Sequence, residues 1–266
     1  MPTNLRTIPW LDNGMLAQLP VRLEMRRVTP ANRFPDGSIL YAASEAKLQY
    51  NWTLRYENLN AQEWQRFATF FSATDGASAP FVFYDPLGNL LAQSVNLRGA
   101  VWIAPAGLAV VPFADANVNG AFLLTNSSSQ PLTLSQTVGV AGPFETCFSV
   151  LTRWDGGAGF ALSSSDGATN VSGEFLAGAW ARKHVVMRGG ESSASRTVGI
   201  VVPGNSQVIV ATPHFEIASA PTAYVASGAQ SGVFSAAWLN QKQFDLQSPT
   251  PGAHLITLHI ESLRQS

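Results

Sequence analysis

Arg153, Trp154 and Asp155 are consecutive at the end of an apolar run. An exposed indole stacks on the apolar face of a sugar ring, and a guanidinium and a carboxylate beside it can bond the hydroxyls. This triplet is therefore the candidate carbohydrate-binding site. The same residues also suit a strand end whose indole is buried or sits at a rim, as large aromatics mostly do. Trp52, Trp64 and Trp180 are expected in the core.

Other chemistry finds less support. Glycoside cleavage needs two carboxylates facing each other across a cleft, and Glu145, Glu174 and Glu216 are the acids that could meet. Isolated acids on strands are more often solvated or tied to turns, so no catalytic residue is expected. His184, His214, His254 and His259 include no pair at the helix-face spacing of a metal site. Cys147, the single cysteine, reads as a small buried hydrophobe and rules out a disulfide framework. No phosphate loop and no Gly-x-Ser-x-Gly elbow occurs. Asp155-Gly156-Gly157 and Asp166-Gly167 are turn signals, and the acids are too sparse to define a calcium site. No cofactor or metal is expected.

The elements that must carry these residues are mostly strands. Leu48, Tyr50, Trp52, Leu54 and Tyr56 alternate with polar residues from Lys47 to Glu57, the period of a half-buried strand. A helix follows. Asn60 is its N-cap, Glu63 completes a capping box, and Trp64, Phe67, Phe70 and Phe71 form its apolar stripe. Gly76 is expected to end it. Pro80 to Tyr84 reads as a short aromatic strand, and Pro20 to Val28 alternates with Val21, Leu23 and Met25 on one side. From about residue 94, short apolar runs recur between turns: 121–125, 132–140, 144–153, 159–162, 183–188, 197–202 and 207–211. Such spacing predicts an antiparallel sandwich or jelly roll. His254 to Glu261 alternates like the first hundred residues, so the last strand is expected to return to the first domain. The predicted architecture is mainly β. A discontinuous β domain with one α-helix covers 1–93 and 231–266, and 94–230 is an inserted antiparallel β-sandwich.

Composition narrows the partners. Of 266 residues 46% are hydrophobic and only 12% charged, against about 25% in ordinary soluble domains, so the surface must be largely uncharged. A net charge of −1 gives no pull toward nucleic acid or anionic lipid. The short basic runs Arg26-Arg27 and Arg182-Lys183-His184 read as solvated strand faces. The most apolar stretch, Val101 to Phe113, is too short to span a bilayer and is broken by Pro105 and Pro112, so no membrane insertion is expected. Met1 to Trp10 lacks the pattern of a secretory leader, which predicts synthesis in a cytoplasm without Sec-type export.

The run from Trp52 to Asn89 carries a family resemblance: Trp52-Thr-Leu-Arg-Tyr56, Leu59, Glu63-Trp64, Phe70-Phe71, Gly76 and Phe81-Val-Phe-Tyr-Asp85-Pro86-Leu-Gly-Asn89. It resembles the core of bacteriophage distal-tail (tail-tip hub) proteins. Residues 130–224, with Leu132 to Val138, Cys147 to Val150, Trp180-Ala-Arg182 and Phe215-Glu216, are similar to carbohydrate-binding jelly rolls. The resemblance implies a structural virion protein made in a host cytoplasm and located at the tail tip. It would assemble with itself as a ring, commonly sixfold, and with the tail tube and other tail-tip proteins, while the insertion contacts host-surface glycan. A stand-alone carbohydrate-binding protein is the alternative, and a wall- or capsule-degrading enzyme a further one.

Overall fold

The computed structural model describes residues 6–29, 31–41, 47–75, 78–154, 159–175, 178–243 and 245–265, and only the backbone of Trp154 and Gln265. The strands are β1 (Arg6–Thr7), β2 (Arg22–Val28), β3 (Ala31–Arg33), β4 (Ile39–Tyr41), β5 (Lys47–Leu59), β6 (Phe81–Tyr84), β7 (Leu108–Phe113), β8 (Ala121–Asn126) and β9 (Leu132–Val138). They continue as β10 (Glu145–Trp154), β11 (Phe160–Ser165), β12 (Asn170–Phe175), β13 (Gly178–Arg188), β14 (Arg196–Val202), β15 (Ser206–Glu216), β16 (Val233–Leu239), β17 (Gln247–Thr250) and β18 (Ala253–Gln265). A helix, α1 (Ala61–Ala73), lies between β5 and β6. The protein is mainly β, with antiparallel sheets of the β-sandwich or jelly-roll kind. The chain divides into two compact units, one made of 1–12, 17–83 and 234–266, the other of 13–16 and 84–233.

The first unit is a sheet in the order β1-β6-β16-β18-β5-β2, with β17 on β18 and a separate β3–β4 ribbon. Alternation along β5 buries Trp52, Leu54 and Tyr56, and its antiparallel neighbour β18 buries Ile256, Leu258 and Ile260. Trp52 packs edge-on against Phe83 and Phe234, with ring centroids 4.8 and 4.7 Å away. The helix starts as its capping box requires. The Asn60 side chain accepts from the Gln62 and Glu63 N–H groups, and Glu63 accepts in return from the Asn60 N–H. Such a cap is worth about 1 kcal/mol. Phe67 packs on Tyr56 and Phe70 on Phe81.

The helix closes at Thr74, whose hydroxyl donates to the Phe70 and Phe71 carbonyls, and Asp75 takes the left-handed conformation (φ 48°). Gly76 lies outside the described residues. Two expectations need correction here. Trp64 is half-buried beside His254, because the stripe turns it to the edge of the helix's contact with the sheet. In β2 the alternation holds, but Met25 is 62% exposed, because β2 is the last strand of the sheet and runs past its core.

The second unit stacks two antiparallel sheets, β13-β10-β15-β8-β7 and β12-β11-β14-β9. Even-numbered residues of β8, β10 and β14 and odd-numbered residues of β13 point between them. Phe122, Leu124, Phe148, Val150, Val185 and Met187 are buried there together with Phe160, Leu162, Val198, Ile200 and Val202. Each such side chain contributes about 1.5–3 kcal/mol by leaving water. Arg196 is also fully buried. Its two terminal nitrogens donate to the Gly142 and Val140 carbonyls and to Ser193, which offsets much of the cost of burying the charge, while its Nε is buried without a partner among the described residues.

Candidate functional site

The opposite parity faces outward. On the outer face of the five-stranded sheet, β10 presents Cys147, Ser149, Leu151 and Arg153, β13 presents Trp180, Arg182 and His184, and β15 presents Ile209, Ala211, His214 and Glu216. This face falls into an open end, a middle and a covered end.

At the open end Ala121, Ile209 and Ala211 form a small buried apolar cluster. Phe113, Val118, Leu123, Leu151 and Trp180 pack on it while staying partly exposed. The Arg153 guanidinium lies 5.5 Å from the Phe113 ring and 5.7 Å from the Trp180 ring, and it donates to Asp115 Oδ2 at 2.7 Å. The Trp180 indole N–H donates to the same oxygen at 3.3 Å. Asp115 is held by the turn after β7, where its Oδ1 accepts the Asn117 N–H. That bond, with help from Trp180 and Arg153, keeps its carboxyl below the ordinary carboxylate range. The result is an apolar patch carrying one aromatic edge, one cation and one anion that cancel each other's charge.

In the middle, Arg182 is fixed by the shape of β15. Ser149 pairs with His214 while Leu151 pairs with Ala211, so Thr212 and Pro213 together oppose Val150 in a bulge. Thr212 has φ 47°, which for a β-branched residue costs of order 1–3 kcal/mol. Arg182 occupies the bulge, donating to the Thr212 hydroxyl at 2.7 Å, its carbonyl at 3.1 Å and the Ser149 hydroxyl at 2.9 Å. Arg182 was expected on a solvated face; it is half-buried instead, because the bulge aims carbonyl and hydroxyl at it.

The covered end is closed by residues 217–228. Glu216 accepts from the Thr222 N–H and hydroxyl at 2.9 and 2.6 Å. The Tyr224 ring stands edge-on to His214, and its hydroxyl bonds Ser94. His214 is 1% exposed, its Nδ1 3.3 Å from Glu216 Oε1. Burial lowers its pKa, against the pull of Glu216 and the Gly88 backbone and with the push of Arg182. The Cys147 thiol is pushed up to about 12, chiefly by burial, which makes it an inert core group.

Of the sequence-predicted triplet, Arg153 takes part in the open-end cluster. Trp154 ends β10 opposite Gly178, with its side chain outside the description, and Asp155 lies outside the described residues. Trp180 was expected in the core and is half-buried on the outer face. Asp115, Phe113 and Arg182 were not singled out as site residues. The available signal was the alternation Trp180-x-Arg182 and the Asp115-x-Asn117 turn. Glu174 sits on the exposed face of the edge strand β12 and Glu216 on the outer face of the other sheet, so these two acids do not face each other. Among the described residues no group of three His, Cys, Asp or Glu side chains could hold a metal ion, and no helix is long and apolar enough to cross a membrane.

No protein-family model and no curated protein matches the sequence. Solved structures similar to the chain are carbohydrate-binding modules and a phage tailspike domain. The enzymatically active domain of bacteriophage CBA120 tailspike protein 4 is 10% identical, with a TM-score of 0.41, over 50% of this chain and 22% of that one. The CBM22-1–GH10 portion of Clostridium thermocellum xylanase 10B is 18% identical, with a TM-score of 0.41, over 54% and 30%. The C-terminal family 22 carbohydrate-binding module of the same xylanase is 14% identical, with a TM-score of 0.39, over 51% and 98%. The chain thus spans less than a third of the first two of these structures.

Proposed function

We propose that this is a non-catalytic carbohydrate-binding protein whose β-sandwich holds glycan on the open end of its outer sheet face. The observation that carries the reading is the half-exposed Trp180 indole, set on an apolar patch beside a guanidinium and a carboxylate that neutralise each other. An indole edge and flat aliphatic surface suit the C–H face of a pyranose, while the partly exposed Arg153 offers a donor at its rim and the buried Asp115 holds Arg153 and Trp180 in place. The cancelled charge favours a neutral sugar over a uronic or sialic acid. Of the acids that hydrolysis could use, Glu216 is bonded to Thr222 and Glu174 lies on the exposed face of the other sheet's edge strand, so these two do not form a facing pair.

The test is a glycan array followed by calorimetry on the full chain and on Trp180→Ala. A neutral oligosaccharide should bind the parent, and Trp180→Ala should weaken it about tenfold or more, the scale of one lost stacking contact. Equal binding by the variant, or no binding across the array, would sink the reading.

A second reading, a structural role at a phage tail tip as a self-assembling hub, rests on a separate observation in the first unit. The β3–β4 ribbon is exposed at every residue, with Phe34 47%, Leu40 58% and Tyr41 62% exposed. Several large apolar side chains exposed together on one short ribbon mark an interaction surface. Light scattering of the purified chain tests it, and a monomer at every concentration would count against it.

A further inference from the structure

The β3–β4 ribbon has two strands of three residues, registered Ala31↔Tyr41, Asn32↔Leu40 and Arg33↔Ile39. No third strand joins it among the described residues. Its turn is well made: the Phe34 N–H donates to the Ser38 carbonyl and the Gly37 N–H to the Phe34 carbonyl, with Gly37 at φ 86°. Asp36 at the tip accepts from the Ser38 N–H and hydroxyl. Leu40 points to one face of the ribbon and Ile39 and Tyr41 to the other, so it has no single polar side to leave in water. An isolated two-stranded hairpin is marginal by itself.

The same unit offers a groove of about 550 Å³ between the β1 segment and the outer side of α1. Pro9, Trp10, Phe70 and Ala73 form its apolar walls, and Arg6 and Arg66 stand on it. Arg66 is already neutralised by Asp12 at 2.7 Å and lies over the Trp10 ring. Arg6 has no acidic partner among the described ion pairs, and Asp36 has no basic one. The ribbon is exposed throughout, so it does not fill the groove of its own chain.

We propose that the ribbon tip of one copy seats in the α1 groove of a second copy, with Phe34 against Trp10 and Phe70 and Asp36 facing Arg6. This inference rests on the self-assembly reading and names its surfaces. Tip and groove are different patches, so the contact is head-to-tail: it builds a ring where the rotation closes and an open chain where it does not. Arg33, behind the turn, stays at the rim.

The experiment is a charge-reversal cycle on the full chain, read by light scattering across a concentration series, with circular dichroism as a check on folding. The parent should be oligomeric. Asp36→Arg and Arg6→Asp should each raise the dissociation constant about tenfold or more, since like charges then meet at the contact. The double variant D36R/R6D should recover most of the loss, which a folding defect could not do. Oligomers indifferent to all three variants would overturn the ribbon-in-groove contact while leaving self-assembly standing. A parent that is monomeric throughout would overturn both.

Discussion

The two ends of the outer sheet face are built from the same three strands and the same alternation, yet one is sealed and the other open. At the sealed end Glu216 fastens the segment 217–228 through Thr222, and Tyr224 covers His214. At the open end Asp115 gathers Arg153 and Trp180 and leaves the indole partly in solvent. Both ends spend their polar groups on internal bonds. The difference is that the sealed end fixes loop backbone, whereas the open end fixes side-chain orientation. Stability should therefore reside at the first and recognition at the second.

The largest expected effect is at the boundary between them. Arg182→Ala strips three hydrogen bonds from a strained bulge and should cost about 3–5 kcal/mol in urea unfolding, since buried acceptors are left bare. Glu216→Ala should cost about 2–3 kcal/mol by releasing the Thr222 backbone, with protease cleavage appearing within 217–228. A loss under 0.5 kcal/mol for Glu216→Ala would erase the contrast between the ends. Trp180→Ala should be nearly neutral in stability, within about 1 kcal/mol, while changing glycan affinity most.

The sealed end should also respond to acid. The folded-state pKa of His214 lies below its unfolded value of about 6.5, so the unfolded chain takes up the proton first. The stabilisation is complete above pH 6.5 and is lost as pH falls toward the folded value. Unfolding free energy measured between pH 7 and 4.5 should decline in the parent and stay flatter in His214→Phe. Parallel curves would show that the ring gains no proton on unfolding. The smallest effect is Arg153→Lys, which keeps the charge but loses the flat stack on Phe113 and Trp180. It should cost less than about 1 kcal/mol in stability and weaken glycan binding a few-fold.

Much of the architecture was legible because alternation survives translation into strands. Lys47 to Glu57 became β5, the run 132–140 became β9, and the capping box of Asn60 and Glu63 formed as read. Polar or short strands escaped. β12, Asn-Val-Ser-Gly-Glu-Phe, is an edge strand with one polar face and a glycine, and it carries too little apolar periodicity to declare itself. Less of the candidate site was legible. Arg153 was singled out in the sequence and lies in the open-end cluster, whereas Trp180 was assigned to the core and is half-buried on the outer face, because a strand's sequence states which residues share a face, not which face is covered.

Taken alone, the sequence determined the mainly β class, the capped helix after β5, the inert buried cysteine and the pairing of residues by parity. These depend on near neighbours and on a period of two. Tertiary structure alone decided that Asp115 would meet Arg153 and Trp180 across 38 and 65 residues of chain. It also decided that a bulge at Thr212 would turn Arg182 inward, and that Glu216 would tie down a loop rather than face another acid. Those outcomes depend on sheet order and register, which place distant residues side by side only once the whole sheet has closed.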